Sequence, residues 1–184
     1  SGCEGLLGGG LYATNSSEIT ISGGTISGCT AVDDGGGLYA DNSTITITDG
    51  TISGCKGELG CGLYATNSPE ITISGGTISG CTGLQGGGLY ANNSTVTITD
   101  GTISRCKVGA GGGLYATNSS KITIRGGTIS ECSTTLDTGK GGGLYAENST
   151  ITISGGTIEN NEAARGGGVA LTKSTVTDEE PIRN

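Results

Sequence analysis

The chain of 184 residues has no histidine, methionine, tryptophan or phenylalanine, only two prolines, and only 14% charged residues. Each shortage excludes something. Without histidine, the side chain that most readily moves protons or binds metals near neutral pH is missing. Without Phe, Trp or Met, any core must be aliphatic. The two prolines stand beside 39 glycines with no Gly-X-Y triplet, which excludes collagen and polyproline helices. Scarce charge also fails the low-hydrophobicity, high-charge recipe for disorder. A net charge of −8 disfavours nucleic acid and anionic membrane as partners, because both need clustered Lys and Arg. No run approaches the roughly 20 apolar residues of a membrane span, so no membrane insertion is expected.

Repetition dominates what remains. The block Gly-Gly-Gly-Leu-Tyr-Ala and its variants start at Gly8, Gly35, Gly60 (where Cys61 interrupts), Gly86, Gly111, Gly141 and Gly166, in steps of 27, 25, 26, 25, 30 and 25 residues. Self-similarity at such a period marks a solenoid, in which each repeat packs only on its neighbours. Within one repeat, Leu38-Tyr39-Ala40 alternates in and out, and Asp41-Asn42-Ser43 is a turn. Thr44 to Thr48 alternates with period 2, Asp49-Gly50 forms a second turn, and Thr51-Ile52-Ser53 makes a third strand before a variable loop at Gly54-Cys55.

Three short strands per coil predict an all-β, right-handed parallel β-helix with coils of about 25–27 residues and about 6.5 coils in all. One solenoid is expected over 1–177, with a polar tail over 178–184. Ser1-Gly2-Cys3 matches Ser27-Gly28-Cys29, so the chain reads as opening in mid-coil, a segment of a longer protein whose open strand edge would allow end-to-end self-association. Stacked Leu, Ala and Ile columns would fill the interior.

Other columns are candidates for function. Asn15, Asn42, Asn67, Asn93, Asn118 and Asn148 mark one turn. They read as a ladder of amides satisfying backbone groups or, where Asn-X-Ser/Thr holds, as glycan acceptors. Cys3, Cys29, Cys55, Cys81, Cys106 and Cys132 form a second column that Asn161 continues, with Cys61 outside it. Their spacing fits no zinc pattern. Coils about 4.8 Å apart would permit disulfides between neighbours, or leave a ladder of buried thiols. Tyr12, Tyr39, Tyr64, Tyr90, Tyr115 and Tyr145 alternate outward, either as an exposed stripe for sugar rings or as cover for glycine backbone.

Hydroxyl columns are the most extensive. Thr20, Thr46, Thr72, Thr97, Thr123, Thr152 and Thr177 form one. On the third strand, Thr25, Thr51, Thr77, Thr102, Thr128 and Thr157 run beside Ser27, Ser53, Ser79, Ser104 and Ser130, until Glu159 breaks the pattern. Such an uncharged lattice resembles the Thr-X-Thr faces of insect and bacterial ice-binding solenoids. Outward Thr is also an ordinary strand residue.

The blocks Gly8-Gly9-Gly10-Leu11-Tyr12-Ala13 and Gly23-Gly24-Thr25-Ile26-Ser27 resemble the Gly-rich repeats of secreted bacterial and archaeal adhesin-like proteins, and are similar to chlamydial polymorphic outer-membrane-protein repeats. The chain departs from the latter in lacking Phe-X-X-Asn, and Cys stands where adhesin-like repeats often carry Asn. The resemblance implies a β-helix at the cell surface or outside the cell. Acids are scattered and the Gly-Gly-X-Gly-X-Asp calcium repeat is absent, so neither catalysis nor a cofactor is expected. The expected role is a non-enzymatic surface rod, with ice binding and carbohydrate binding as alternatives, and a protein surface, a glycan or ice as partner.

Overall fold

The computed structural model describes residues 1–15 and 18–178; most of the expected polar tail lies outside them. The described chain is all β, and parallel strands stack as a solenoid of seven coils. One wall is a seven-stranded sheet of four-residue strands, from Leu11–Thr14 through Leu63–Thr66 and Leu114–Thr117 to Val169–Thr172. Every rung is in register: Leu38 pairs with Leu63, Tyr39 with Tyr64, Ala40 with Ala65. A third side, where the loops vary in length, is held by one- and two-residue rungs such as Thr30 with Lys56 and Lys107 with Ser133.

The other wall corrects the three-strand expectation. In the first four coils the two Ile-containing segments form one continuous strand, Ile19–Ser27, Ile45–Ser53, Ile71–Ser79 and Thr95–Ser104. They separate only later, into Lys121–Ile124 and Thr128–Ser130, then Thr150–Ile153 and Thr157–Glu159. What reads as an Asp-Gly turn is thus a bulge within the sheet, where the register shifts. A left-handed glycine absorbs the bend, with φ of 100° at Gly50 and 95° at Gly101. Asp49 Oδ1 and Asp100 Oδ1 each accept the following glycine N–H at 2.7 Å.

The glycine triplet has three separate causes. At Gly35 the backbone is left-handed, with φ of 69°. At Gly36 a side chain would collide with the Lys56 and Cys61 carbonyls. At Gly37 it would meet the Gly62 carbonyl at 2.5 Å and Ile52 Cγ2 at 2.6 Å, so the third-strand isoleucine lies directly on bare backbone. Leu38, Ala40, Ile45, Ile47 and Ile52 then close the core, all at most 2% exposed. These dry aliphatic stacks supply the folding drive that scarce aromatics do not.

Candidate functional site

Both threonine columns lie in the same nine-stranded sheet, on either side of the bulge. Thr20, Thr46, Thr72, Thr97, Thr123, Thr152 and Thr177 are in register throughout. So are Thr25, Thr51, Thr77, Thr102, Thr128 and Thr157. Thr25 is exposed and the rest of its column half-buried, as are Ser27, Ser53, Ser79 and Ser130. Ser104 departs from the expected outward row: flanked in register by Ser79 and Ser130, it is buried. At the next rung Ser130 pairs with Glu159, which ends the hydroxyl row.

The tyrosines do not form an exposed stripe. Tyr12, Tyr39, Tyr64, Tyr90 and Tyr115 stack face to face with centroids 5.0 to 5.3 Å apart. Tyr64, Tyr90, Tyr115 and Tyr145 are buried, with Leu59, Ala110 and Ala170 packed against them. Only Tyr12 is 53% exposed. Their ring faces are thus engaged with each other, which removes the geometry a sugar ring would need. Tyr145 turns edge-on to Tyr115 at 83°, its hydroxyl donating to Thr172 Oγ1 at 3.0 Å with Lys140 Nζ above the ring. Burial pushes the Tyr39 and Tyr90 phenols up to about 12.

The asparagines mark the turn, as expected, but their amides bond side chains and not the backbone. All six are exposed, and all adopt left-handed backbone, with φ between 47° and 53°. That conformation turns the amide outward, where it bonds other side chains: Asn42 Nδ2 donates to Asn15 Oδ1 at 2.9 Å and Asn93 Nδ2 to Asn67 Oδ1 at 3.0 Å. Backbone groups at the turn are served instead by buried serines. Ser68 N–H donates to Ser94 Oγ at 3.0 Å, and Ser94 N–H to Ser120 Oγ at 3.1 Å. The Ser94 hydroxyl in turn donates to the Asn92 carbonyl at 2.8 Å.

The cysteine column is a line of thiols. Cys29, Cys55, Cys81, Cys106 and Cys132 are buried, whereas Cys3 is exposed. Each buried thiol donates to the carbonyl two residues before it, at 3.3 to 3.5 Å. Neighbouring thiols lie close enough to perturb one another, and with burial they hold Cys55 and Cys106 protonated well above the usual thiol range. Cys61 occupies the middle-glycine position of its triplet. It fits because Gly83, where a side chain would meet the Cys61 sulfur, carries none, whereas Val108 fills the equivalent space beside Gly87; burial pushes its thiol up to about 12. Among the described residues, no three His, Cys, Asp or Glu side chains converge to hold a metal ion.

The sequence profile of a family described as "Periplasmic copper-binding protein (NosD)" matches residues 1–178. No curated protein and no solved structure matches the chain.

Proposed function

Starting from the fact that the chain belongs to the NosD family of periplasmic proteins, we propose that it is a non-enzymatic, stiff spacer of the cell envelope, displaying polar columns to a protein or glycan surface. A periplasmic family agrees with the envelope setting at a coarse level, and adhesive display is the finer reading. The observation that carries it is unbroken register: in the seven-stranded wall, leucine follows leucine and alanine follows alanine until Val169 and Leu171 take over in the last coil. Such a ladder resists extension because each coil must break its pairing to both neighbours.

Copper, which the family description names, does not fit these residues. Imidazole and thioether donors are missing from the sequence. Five of the seven thiols are buried in a line, each against a carbonyl, where thiolates would lie in an apolar core, and among the described residues no three ligands converge.

Single-molecule pulling tests the spacer reading. Coils should detach in steps of about 85 Å of contour, from 25 residues at roughly 3.4 Å each. Smooth extension at forces that stretch an unfolded chain would end the proposal.

The joint placement of both threonine columns in one in-register sheet favours a second reading, ice binding. Within each Thr-X-Ser segment, hydroxyls would recur at about 6.7 Å along the strand and about 4.8 Å between coils, interrupted where Ser104 is buried. Thermal hysteresis that disappears on replacing both Thr77 and Thr102 by Tyr would support it; none in the parent chain would end it.

A further inference from the structure

We propose that the cysteine column is a modification site at which neighbouring coils are stapled by two disulfides, Cys29–Cys55 and Cys106–Cys132, with Cys81 left as a thiol between them. The column is framed by paired backbone on both sides. Gly28 N–H donates to the Ser53 carbonyl at 2.9 Å and Gly54 N–H to that of Ser79 at 2.9 Å, while Thr30, Lys56, Thr82, Lys107 and Ser133 form consecutive bridges just beyond the cysteines. Adjacent cysteines therefore sit one rung apart, about 4.8 Å, inside the range of roughly 4.4–6.8 Å that a disulfide spans between Cα atoms.

Two thiols lean across a rung and so select the pairs. Besides its own carbonyl, Cys55 Sγ reaches the Ile26 carbonyl at 3.9 Å, in the coil of Cys29. Cys132 Sγ reaches the Ile103 carbonyl at 3.9 Å, in the coil of Cys106. Cys81 donates to the Ser79 carbonyl in its own coil, and its sulfur is shared between the Cys55 and Cys106 thiols on either side, so it leans to neither. Below Cys132 the column closes with Asn161, whose amide replaces a thiol with two hydrogen bonds.

The oxidant is a small-molecule or protein disulfide of the oxidising envelope, so this inference draws on the periplasmic setting for its reagent. One cysteine thiolate attacks that disulfide and expels a thiolate, which takes up the proton the cysteine gave up. The neighbouring thiolate then displaces the second thiolate from the mixed disulfide, and that thiolate is protonated in turn. Two protein thiols are oxidised by two electrons and the external disulfide is reduced to two thiols. Because the column is buried, the reaction belongs to folding, as each coil docks.

The test refolds the whole reduced chain in an oxidising glutathione couple, alkylates it under denaturing conditions and maps peptides by mass. Cleavage after Arg105, Lys107 and Arg125 isolates Cys106 from Cys132, and cleavage at acidic residues separates Cys29 from Cys55. Two cross-links, each lowering the mass by two hydrogens, with Cys3, Cys61 and Cys81 alkylated, are expected. A fully alkylated native chain, or cross-links through Cys81, would overturn the assignment. If refolding fails, the folded reduced chain is exposed to the same couple in urea just below its unfolding midpoint, where coils open and redock, with the same readout. The mapping is made in vitro, so its failure is independent of whether the protein acts as a spacer.

Discussion

Asn161 stands one rung beyond Cys132 and grips it: its Oδ1 accepts the Cys132 N–H at 2.9 Å, while its Nδ2 donates to the Ile129 carbonyl at 2.9 Å. The column that holds thiols in the other coils thus ends in a side chain that bonds backbone on the coil before it. Asn161→Ala removes both bonds and leaves a half-buried donor and acceptor unpaired, a loss of about 1–3 kcal/mol. Urea titration should show the midpoint falling with an unchanged slope. A variant within about 0.3 kcal/mol of the parent would mean that water replaces the amide without cost.

The turn separates two roles that a single residue was expected to fill. Ser94 carries the buried bonding, so Ser94→Ala should cost about 1–3 kcal/mol. Asn93 carries the left-handed backbone at φ of 47° with its side chain in solvent. Asn93→Gly should therefore stay within about 0.5 kcal/mol, while Asn93→Ala loses about 1–2 kcal/mol to backbone strain. Equal losses for Ser94→Ala and Asn93→Gly in denaturant melts would refute this division.

That division also shows where sequence reasoning reaches and where it stops. The aliphatic columns were legible because Thr44 to Thr48 alternates with period 2 and every coil repeats it. Serine after a turn asparagine looks like solvated loop, and only stacking between coils buries it, so Ser43 and Ser68 gave no signal. The tyrosines do point away from the Leu-Ala face, yet period 2 says nothing about what covers the outer side. There each ring covers the next, and Leu59 and Ala110 complete the enclosure. The Asp-Gly bulge shares its residues with a hairpin turn. Pairing with the neighbouring coil is what keeps that strand continuous.

Two glycines distinguish collision from strain. Adding a methyl at Gly62 places it 2.6 Å from both the Gly88 carbonyl and Ile78 Cγ2, neither of which can yield without shifting a coil. At Gly80 the nearest atom is 3.9 Å away and only the φ of +64° opposes a side chain. Gly80→Ala should lose about 1–2 kcal/mol and keep the fold. Gly62→Ala should lose more, at or above the roughly 1–3 kcal/mol of an overpacked core. Thermal melts that ranked the two in the opposite order would refute the account of the triplet.

Alkaline pH should weaken the solenoid through groups that the fold keeps neutral. Burial, with Tyr64 and Asp41 nearby, lifts Tyr39 to about 12, and burial lifts Tyr90 to about 12 and Cys61 to about 12. Their ordinary values are 10.0 for the phenols and 9.0 for the thiol, so the unfolded chain releases these protons first. Between the ordinary and the raised values the folded state binds more protons than the unfolded state, and stability must fall as pH rises. Stability should therefore decline from about pH 9 towards pH 12, with the melting temperature falling throughout that window. Cys61→Ala removes one thiol contribution, so its decline should be shallower, although Cys55 and Cys106, also held above the usual thiol range, still begin it near pH 9. A melting temperature constant from pH 9 to 12 would mean that the stacked rings admit water and titrate as they do in the unfolded chain.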